Sequence, residues 1–154
     1  MTTTNPVPSS DPTDLLFNAQ KLDEVVNGPA LSYVDRLGNV RLTWAGISAQ
    51  AGFTALTDGA SIAIDGALGF NHRVVLGGNR TLANPTGLID GMVYTVRIKQ
   101  DGTGGRTLSY ASKWKFPGGR VPVLSSAPNA VDLLCAQYDA TLDILLCNLL
   151  KGFA

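Results

Sequence analysis

Apolar residues in the first part of the chain recur with the period of a helix. In "PSSDPTDLLFNAQKLDEVVNGP", residues 8–29, four apolar positions fall at i, i+4, i+7 and i+11, and two neighbours widen the stripe. Such spacing predicts an amphipathic helix whose apolar face docks on something. A helix of about fifteen residues is marginal in isolation. We therefore predict that the stripe is an assembly site, formed by Leu15, Leu16, Ala19, Leu22, Val25 and Val26.

The predicted helix has start and stop signals at both ends. Ser10 or Asp11 is suited to accept the first free N–H groups, and Pro12 suits the first helical position. Asp14 lies in the first turn, where a carboxylate is favoured. The tripeptide 27–29, Asn-Gly-Pro, ends the helix. The helix is thus a module of its own, preceded by a polar, proline-containing arm.

The pattern changes to alternation after the helix. "LSYVDRLGNVRLTWAG", residues 31–46, has two alternating runs around Leu37-Gly38-Asn39 and predicts a hairpin. Tyr33 and Trp44 are its large aromatic residues, and we add them to the predicted docking set. Arm, helix and hairpin form a predicted N-terminal module, residues 1–47, followed by a linker at 48–57.

From residue 58 onwards the chain reads as short strands separated by glycine-rich turns. Val93–Gln100 alternates strictly, as expected of a half-buried strand. We predict a mainly β chain whose residues 58–154 form an antiparallel, jelly-roll-like β-sandwich. Its predicted strands are 61–65, 72–76, 80–82, 93–100, 106–110, 131–138 and 143–150, with another near 113–116.

Composition indicates a surface occupied by partners. Twelve basic and twelve acidic residues cancel, and only 16% of the residues are charged. No global charge attracts nucleic acid or an anionic membrane. We see no signal peptide and no run long enough to span a bilayer, so assembly in the cytosol, or in a host's cytoplasm, is expected.

The two cysteines lie on either side of "YDATLD". If a hairpin is centred on Thr141, Cys135 and Cys147 are opposite each other. They are expected to be reduced core residues, the alternatives being a cross-strand disulfide or, less favoured, a metal site.

No catalytic constellation is evident in the chain. His72 is the only histidine, and its nearest acid along the chain is Asp65. The glycine-rich segments 77–80 and 101–106 lack the Lys-Ser/Thr of a phosphate-binding loop. We therefore predict a protein that is not an enzyme and needs no cofactor or metal.

Aromatic and basic residues alternate in "YASKWKFPGGRVP", residues 110–122. Tyr110 and Trp114 are candidates for surface contact by stacking on sugar or nucleic acid. The favoured interpretation is a strand with Trp114 in the core.

Residues 5–47, with "LLFNAQKLDEVVN" and "YVDRLGNVRLTWAG", resemble the N-terminal virion-anchoring segment of tail fibres and tailspikes of tailed bacteriophages. The second half, with "LGGNRTLANPTGLIDG", "VRIKQDGTGGRTLSY", "KWKFPGG" and "NAVDLLCAQYD", is similar to small β-domains of phage tail proteins. The resemblance implies a virion structural protein, commonly a homotrimer, attached to tail or portal proteins. Long tailspikes continue with a large β-helical portion, whereas only about a hundred residues follow the anchor-like segment here.

The leading hypothesis is a short tail fibre or fibre-adaptor subunit located in the virion tail. A capsid decoration protein is the first alternative. A module that binds host glycans through Trp114, Trp44 or Tyr110 is the second.

Overall fold

The structure is a computed structural model that describes residues 12–35 and 37–153. The chain divides into two compact units, Met1–Ala51 and Gly52–Ala154. The predicted polar arm and the capping residues Ser10 and Asp11 lie outside the described residues.

The N-terminal unit contains two helices and a hairpin. Its elements are α1 (Pro12–Asn27), β1 (Ser32–Val34), β2 (Val40–Leu42) and α2 (Trp44–Gln50). The predicted helix is confirmed over α1, and Gly28 continues it by donating its N–H to the Glu24 carbonyl at 3.2 Å.

The predicted hairpin is confirmed in its strands and turn. β1 and β2 pair antiparallel, with Val34 opposite Val40. The turn is held by Asp35, whose Oδ1 accepts the N–H groups of Leu37 and Asn39, both at 2.9 Å. Gly38 has the positive φ of 84° that the turn requires. A single aspartate therefore closes the hairpin.

The extension of this hairpin to residue 46 is wrong, because a second helix begins at Trp44. Thr43 is the reason: its Oγ1 accepts the N–H of Gly46 at 3.0 Å and caps α2. Trp44 consequently lies on a helix rather than a strand. The segment 48–57, predicted as a linker, contains the end of α2 and a strand, β3.

The C-terminal unit consists of two sheets. Its strands are β3 (Phe53–Ala55), β4 (Ser61–Ile62), β5 (Asn71–Leu76), β6 (Arg80–Leu82), β7 (Val93–Gln100), β8 (Leu108–Tyr110), β9 (Trp114–Lys115), β10 (Val131–Asp139) and β11 (Ile144–Phe153). One sheet has the order β3-β5-β7-β10-β11-β9 and the other the order β4-β6-β8. From β3 to β8, successive strands belong to the two sheets in turn. Each sheet therefore contains three neighbouring strands that run parallel.

Parallel pairing corrects the predicted antiparallel sandwich. Strands β3, β5 and β7 pair in parallel, as do β4, β6 and β8, whereas β7, β10 and β11 are antiparallel. Successive strands turn a corner into the other sheet instead of reversing, and residue alternation carries no signal of pairing direction. The mainly β character is confirmed; the purely antiparallel arrangement is not.

Both sheets contribute to one hydrophobic core. Alternate residues of β5, β7 and β10 point inward, among them Leu76, Ile98 and Leu134, which are fully buried or nearly so. Ile62 and Leu82 face them from the three-stranded sheet and are register partners. Two-residue alternation thus defines a buried face and an opposite face on the six-stranded sheet.

The β10–β11 pair corrects the expected position of the cysteines. Ala136 lies opposite Cys147, and Cys135 lies opposite Asn148. The connection from Asp139 to Ile144 holds four residues, so the centre of symmetry falls between residues rather than on Thr141. This half-residue displacement places the two thiols on opposite faces of the sheet.

Candidate assembly surfaces

Helix α1 uses one face within its own unit and leaves the predicted stripe exposed. It packs against β1 and α2. Its half-buried side chains include Phe17, Lys21 and Glu24, and Lys21 forms an ion pair with Glu24. Of the predicted docking residues on α1, Val25 is half-buried, whereas five are exposed: Leu15, Leu16, Ala19, Leu22 and Val26.

The two aromatic docking candidates occupy different positions. Tyr33 is half-buried and, with Phe17 and Leu22, lines a cavity of about 320 Å³ in the N-terminal unit. Trp44 is 61% exposed at the start of α2, and Ile47 one turn later is also exposed. Of these two candidates, Trp44 is the one that offers an open aromatic surface.

The outward-facing side of the six-stranded sheet, here called the outer sheet face, is an apolar surface that the sequence analysis missed. On β10 and β11 it carries Val131, Leu133, Cys135, Leu146 and Leu150, which are half-buried or exposed. Leu133 lies directly opposite Leu150. Apolar patches of this kind mark protein contacts. Alternation within each strand was the available signal, but pairing register was needed to assemble the face.

A row of cations borders this apolar strip. Arg73 on β5 and Arg97 on β7 are register partners. Lys99 lies two residues after Arg97, on the same face of β7. No salt bridge links these three cations to a carboxylate anywhere in residues 12–35 and 37–153. The Arg97 guanidinium lies 4.8 Å from the ring centre of Phe53. The outer sheet face therefore carries cations on β5 and β7 beside the apolar residues of β10 and β11.

Carboxylates in the loops are already paired. Arg80 donates to Asp58 at 2.7 Å and lowers the pKa of that carboxyl, and Lys113 does the same for Asp143 at 2.6 Å. The first ion pair holds a loop to β6, and the second joins the turn before β9 to the turn before β11.

The glycine-rich segment 101–106 closes on itself. Asp101 Oδ1 accepts the N–H groups of Thr103 and Gly104, and Arg106 donates to Asp101 Oδ2 at 2.7 Å. The Arg106 side chain lowers the pKa of Asp101. Buried Gln100 also accepts the N–H of Arg106 at 2.8 Å. The N–H groups of Thr103, Gly104 and Arg106 are thus bound to Asp101 and Gln100 and are not presented to an anion as in a phosphate loop.

Trp114 and Tyr110, the candidates for surface contact, are packed together. Trp114 is 6% exposed and donates its Nε1–H to the Ala83 carbonyl at 3.0 Å. The Tyr110 ring lies 6.1 Å from the Trp114 ring and 4.8 Å from the Phe116 ring, and burial raises the pKa of its hydroxyl. Trp114 therefore lies in the core, as the favoured interpretation predicts, and presents no open ring face to a sugar or base.

His72 lies in the core and reaches no acid–base partner. It is fully buried, and neither ring nitrogen makes a hydrogen bond of standard geometry. Burial lowers its pKa, an effect that the Gly69 backbone only partly offsets. In the part of the chain that the structure covers, no group of three His, Cys, Asp or Glu side chains is placed to hold a metal ion. None of the helices described is long and apolar enough to cross a membrane.

Comparison with known families connects the C-terminal unit to phage tails. Residues 67–141 match the family "Putative phage tail fibre C-terminal domain", which is slightly less than half of the chain. The matched range begins before β5 and ends in the turn after β10. This match supports a tail fibre-type domain and a structural role in the phage tail. Searches of curated proteins and of solved structures gave no match.

Proposed function

We propose that this chain is a non-enzymatic subunit of the phage virion, a short tail fibre or fibre adaptor. The observation that carries the proposal is the tail fibre family match over residues 67–141, which include most of the core strands. In this proposal the subunit is a homotrimer and docks on tail or portal proteins through its N-terminal unit.

The exposed apolar side chains of the N-terminal unit support its role in attachment. Trp44 and Ile47 lie one turn apart on α2, at 61% and 53% exposure, and the α1 stripe is a second apolar surface. Surfaces of this kind are unfavourable in water unless a partner covers them. We assign attachment to this unit and leave the tail fibre-type domain free to project.

The use of polar side chains supports a role without catalysis. His72 is buried, and the carboxylates of Asp58, Asp101 and Asp143 hold their neighbouring loops through ion pairs. A general acid or base must reach the proton that it transfers. His72 instead packs in the core, and the three carboxylates hold loops in place.

Attachment is tested by incorporation into particles. Trp44→Asp places a charge on the proposed docking surface, and we expect a severalfold loss of the subunit from purified virions, quantified by mass spectrometry against the major capsid protein. Val123→Asp is the matched control, because Val123 is 75% exposed in the C-terminal unit. Equal incorporation of both variants would overturn attachment through α2. A copy number close to that of the capsid protein would instead indicate decoration of the capsid.

A further inference from the structure

Three cations of the outer sheet face converge on one cavity of the C-terminal unit. Arg73, Arg97 and Lys99, here called the cation cluster, all line this cavity, which has a volume of about 260 Å³. Its other lining residues are apolar: Ala55, Leu56, Val74 and Val75. The cavity thus combines three positive charges with apolar walls.

The cation cluster has no partner within the fold. No salt bridge joins any of its members to a carboxylate within residues 12–35 and 37–153. The carboxylates of Asp58 and Asp101, which follow β3 and β7 in the chain, are already bound by other arginines. Strand β7 lies between β5 and β10, so its cations do not protect a sheet edge from pairing. An internal structural role therefore does not account for the cluster.

The Arg97 guanidinium is oriented for binding before any ligand arrives. It lies over the ring of Phe53, 4.8 Å from the ring centre. A guanidinium that contacts a ring through its flat face keeps its N–H groups, which point outward in its own plane, for hydrogen bonds. Arg97 and Lys99 are also half-buried. A charge that is partly removed from water and unpaired gains more from a bound anion than a fully exposed charge does.

We propose that this cavity binds the phosphate group of a phosphate monoester. A guanidinium can donate two parallel hydrogen bonds to phosphate oxygens, and an ammonium adds a compact positive charge. A phosphate monoester carries a charge of about −1.5 to −2 at pH 7, and so it neutralises three cations better than a single carboxylate does. The apolar walls at Ala55, Leu56 and Val75 suit the carbon atoms that carry the phosphate.

The repulsion between Arg73 and Arg97 supports this assignment. The two residues are register partners on adjacent strands, where like charges destabilise a sheet. A dianion bound between them replaces the repulsion with two attractions. Binding sites commonly retain arrangements of this kind, which lower stability until the ligand is present. The inference concerns the C-terminal unit and does not rest on the proposed virion role.

Titration of the purified full chain with inorganic phosphate tests the proposal. Nuclear magnetic resonance of the ¹⁵N-labelled chain, at constant ionic strength in chloride, reports the arginine Nε–H groups and the backbone amides of β5 and β7. We expect saturable shifts centred on these groups. Arg97→Gln should weaken binding about 10- to 100-fold, because hydrogen bonds between charged groups are lost. Arg73→Gln on the neighbouring strand should act in the same direction.

Arg120→Gln is the matched control, since it makes the same change at an exposed loop residue. It should bind phosphate as the wild type does. The proposal fails if the wild type shows no saturable shift, or if Arg97→Gln and Arg120→Gln bind equally well. Acetate at the same ionic strength should bind severalfold more weakly than phosphate. Equal affinity for the two anions would overturn the assignment to phosphate.

A soluble ester and a lipid headgroup both offer this chemistry, and vesicles distinguish them. Sedimentation of the full chain with phosphatidylcholine vesicles, with and without phosphatidic acid, measures binding to a phosphate monoester on a lipid. Binding that requires phosphatidic acid and that Arg97→Gln abolishes would assign the site to a lipid headgroup. Phosphate binding without vesicle binding would assign it to a soluble ester. Vesicle binding that Arg97→Gln retains would exclude the cation cluster as the lipid site.

Discussion

Arg73 and Arg97 are register partners on the adjacent parallel strands β5 and β7, and both side chains lie on the outer sheet face. The Phe53 ring lies against Arg97, and no acidic side chain is bonded to either arginine in the described parts of the chain. Like charges side by side in a sheet destabilise it. The repulsion between the two arginines therefore lowers the free energy of unfolding, and the fold itself does not require both charges.

Reversing one of these charges should stabilise the isolated chain. For Arg73→Glu we expect the free energy of unfolding to rise by about 0.2–1 kcal/mol, since a cross-strand ion pair replaces a repulsion. Urea denaturation measures the change. Arg120→Glu makes the same charge change on an exposed loop residue and should have little effect. A loss of stability in Arg73→Glu larger than in Arg120→Glu would contradict this interpretation.

Burial of His72 should make stability depend on pH. Its folded-state pKa lies below the usual 6.5, so the unfolded chain takes up the proton first as the pH falls. The free energy of unfolding should then be undiminished above pH 6.5 and decline below it until the folded-state pKa is passed.

A His72→Val chain should lack this decline. Valine suits the position because Val96, the β7 register partner of His72, points into the same core. The urea midpoints of both chains should be compared between about pH 7 and pH 5. This range reports the contribution of His72 to stability, because the ion-paired aspartates titrate at lower pH. Parallel pH profiles of wild type and variant would show that the histidine does not cause the decline.

The two thiols should differ sharply in reactivity. Cys135 is half-buried on the outer sheet face, whereas Cys147 is buried and burial raises its pKa to about 11. A thiol reagent near neutral pH should label one cysteine per native chain and both in denaturant, as read by intact mass. Cys135→Ser should remove the native label. Labelling of Cys147 in the native variant would contradict its buried position.

Two neighbouring glycines provide a matched test of the 101–106 turn. Gly104 and Gly105 both have φ of 72°, but only at Gly104 would a Cβ meet backbone, 2.6 Å from the Ser126 carbonyl oxygen. Gly105→Ala should cost about 1–2 kcal/mol through the left-handed conformation alone. Gly104→Ala should cost clearly more, because Ser126 must also move. Equal decreases in the free energy of unfolding, measured by urea denaturation, would show that Ser126 moves aside without a cost in stability.

Features with a local cause were predictable from the sequence. Helix α1 follows from its apolar spacing with Pro12 at the start, and β7 spans the residues whose alternation predicted it. Helix α2 was missed because its stability rests on the Thr43 cap rather than on a long periodic pattern. Trp44 was consequently placed on a strand. The predicted pairing of Cys135 with Cys147 is wrong for a similar reason. One residue more or less in the turn moves every side chain of the following strand to the opposite face of the sheet.

The candidate surfaces were predictable only in part. The α1 stripe could be predicted from six residues within twelve positions of one another, because a helix brings i, i+4 and i+7 together without help from the rest of the chain. The outer sheet face could not. Arg73 and Arg97 are 24 positions apart, and only the parallel pairing of β5 and β7 makes them neighbours.

By itself, the sequence determines the mainly β character, the position of α1 and the segments that become most of the strands, because each depends on side-chain periods of 3.6 or 2 along a short segment. The tertiary structure alone decides pairing direction, the division of strands between two sheets and the burial of Trp114 and His72. These depend on contacts between distant segments, where free energy comes from burying faces together rather than from local conformational preference.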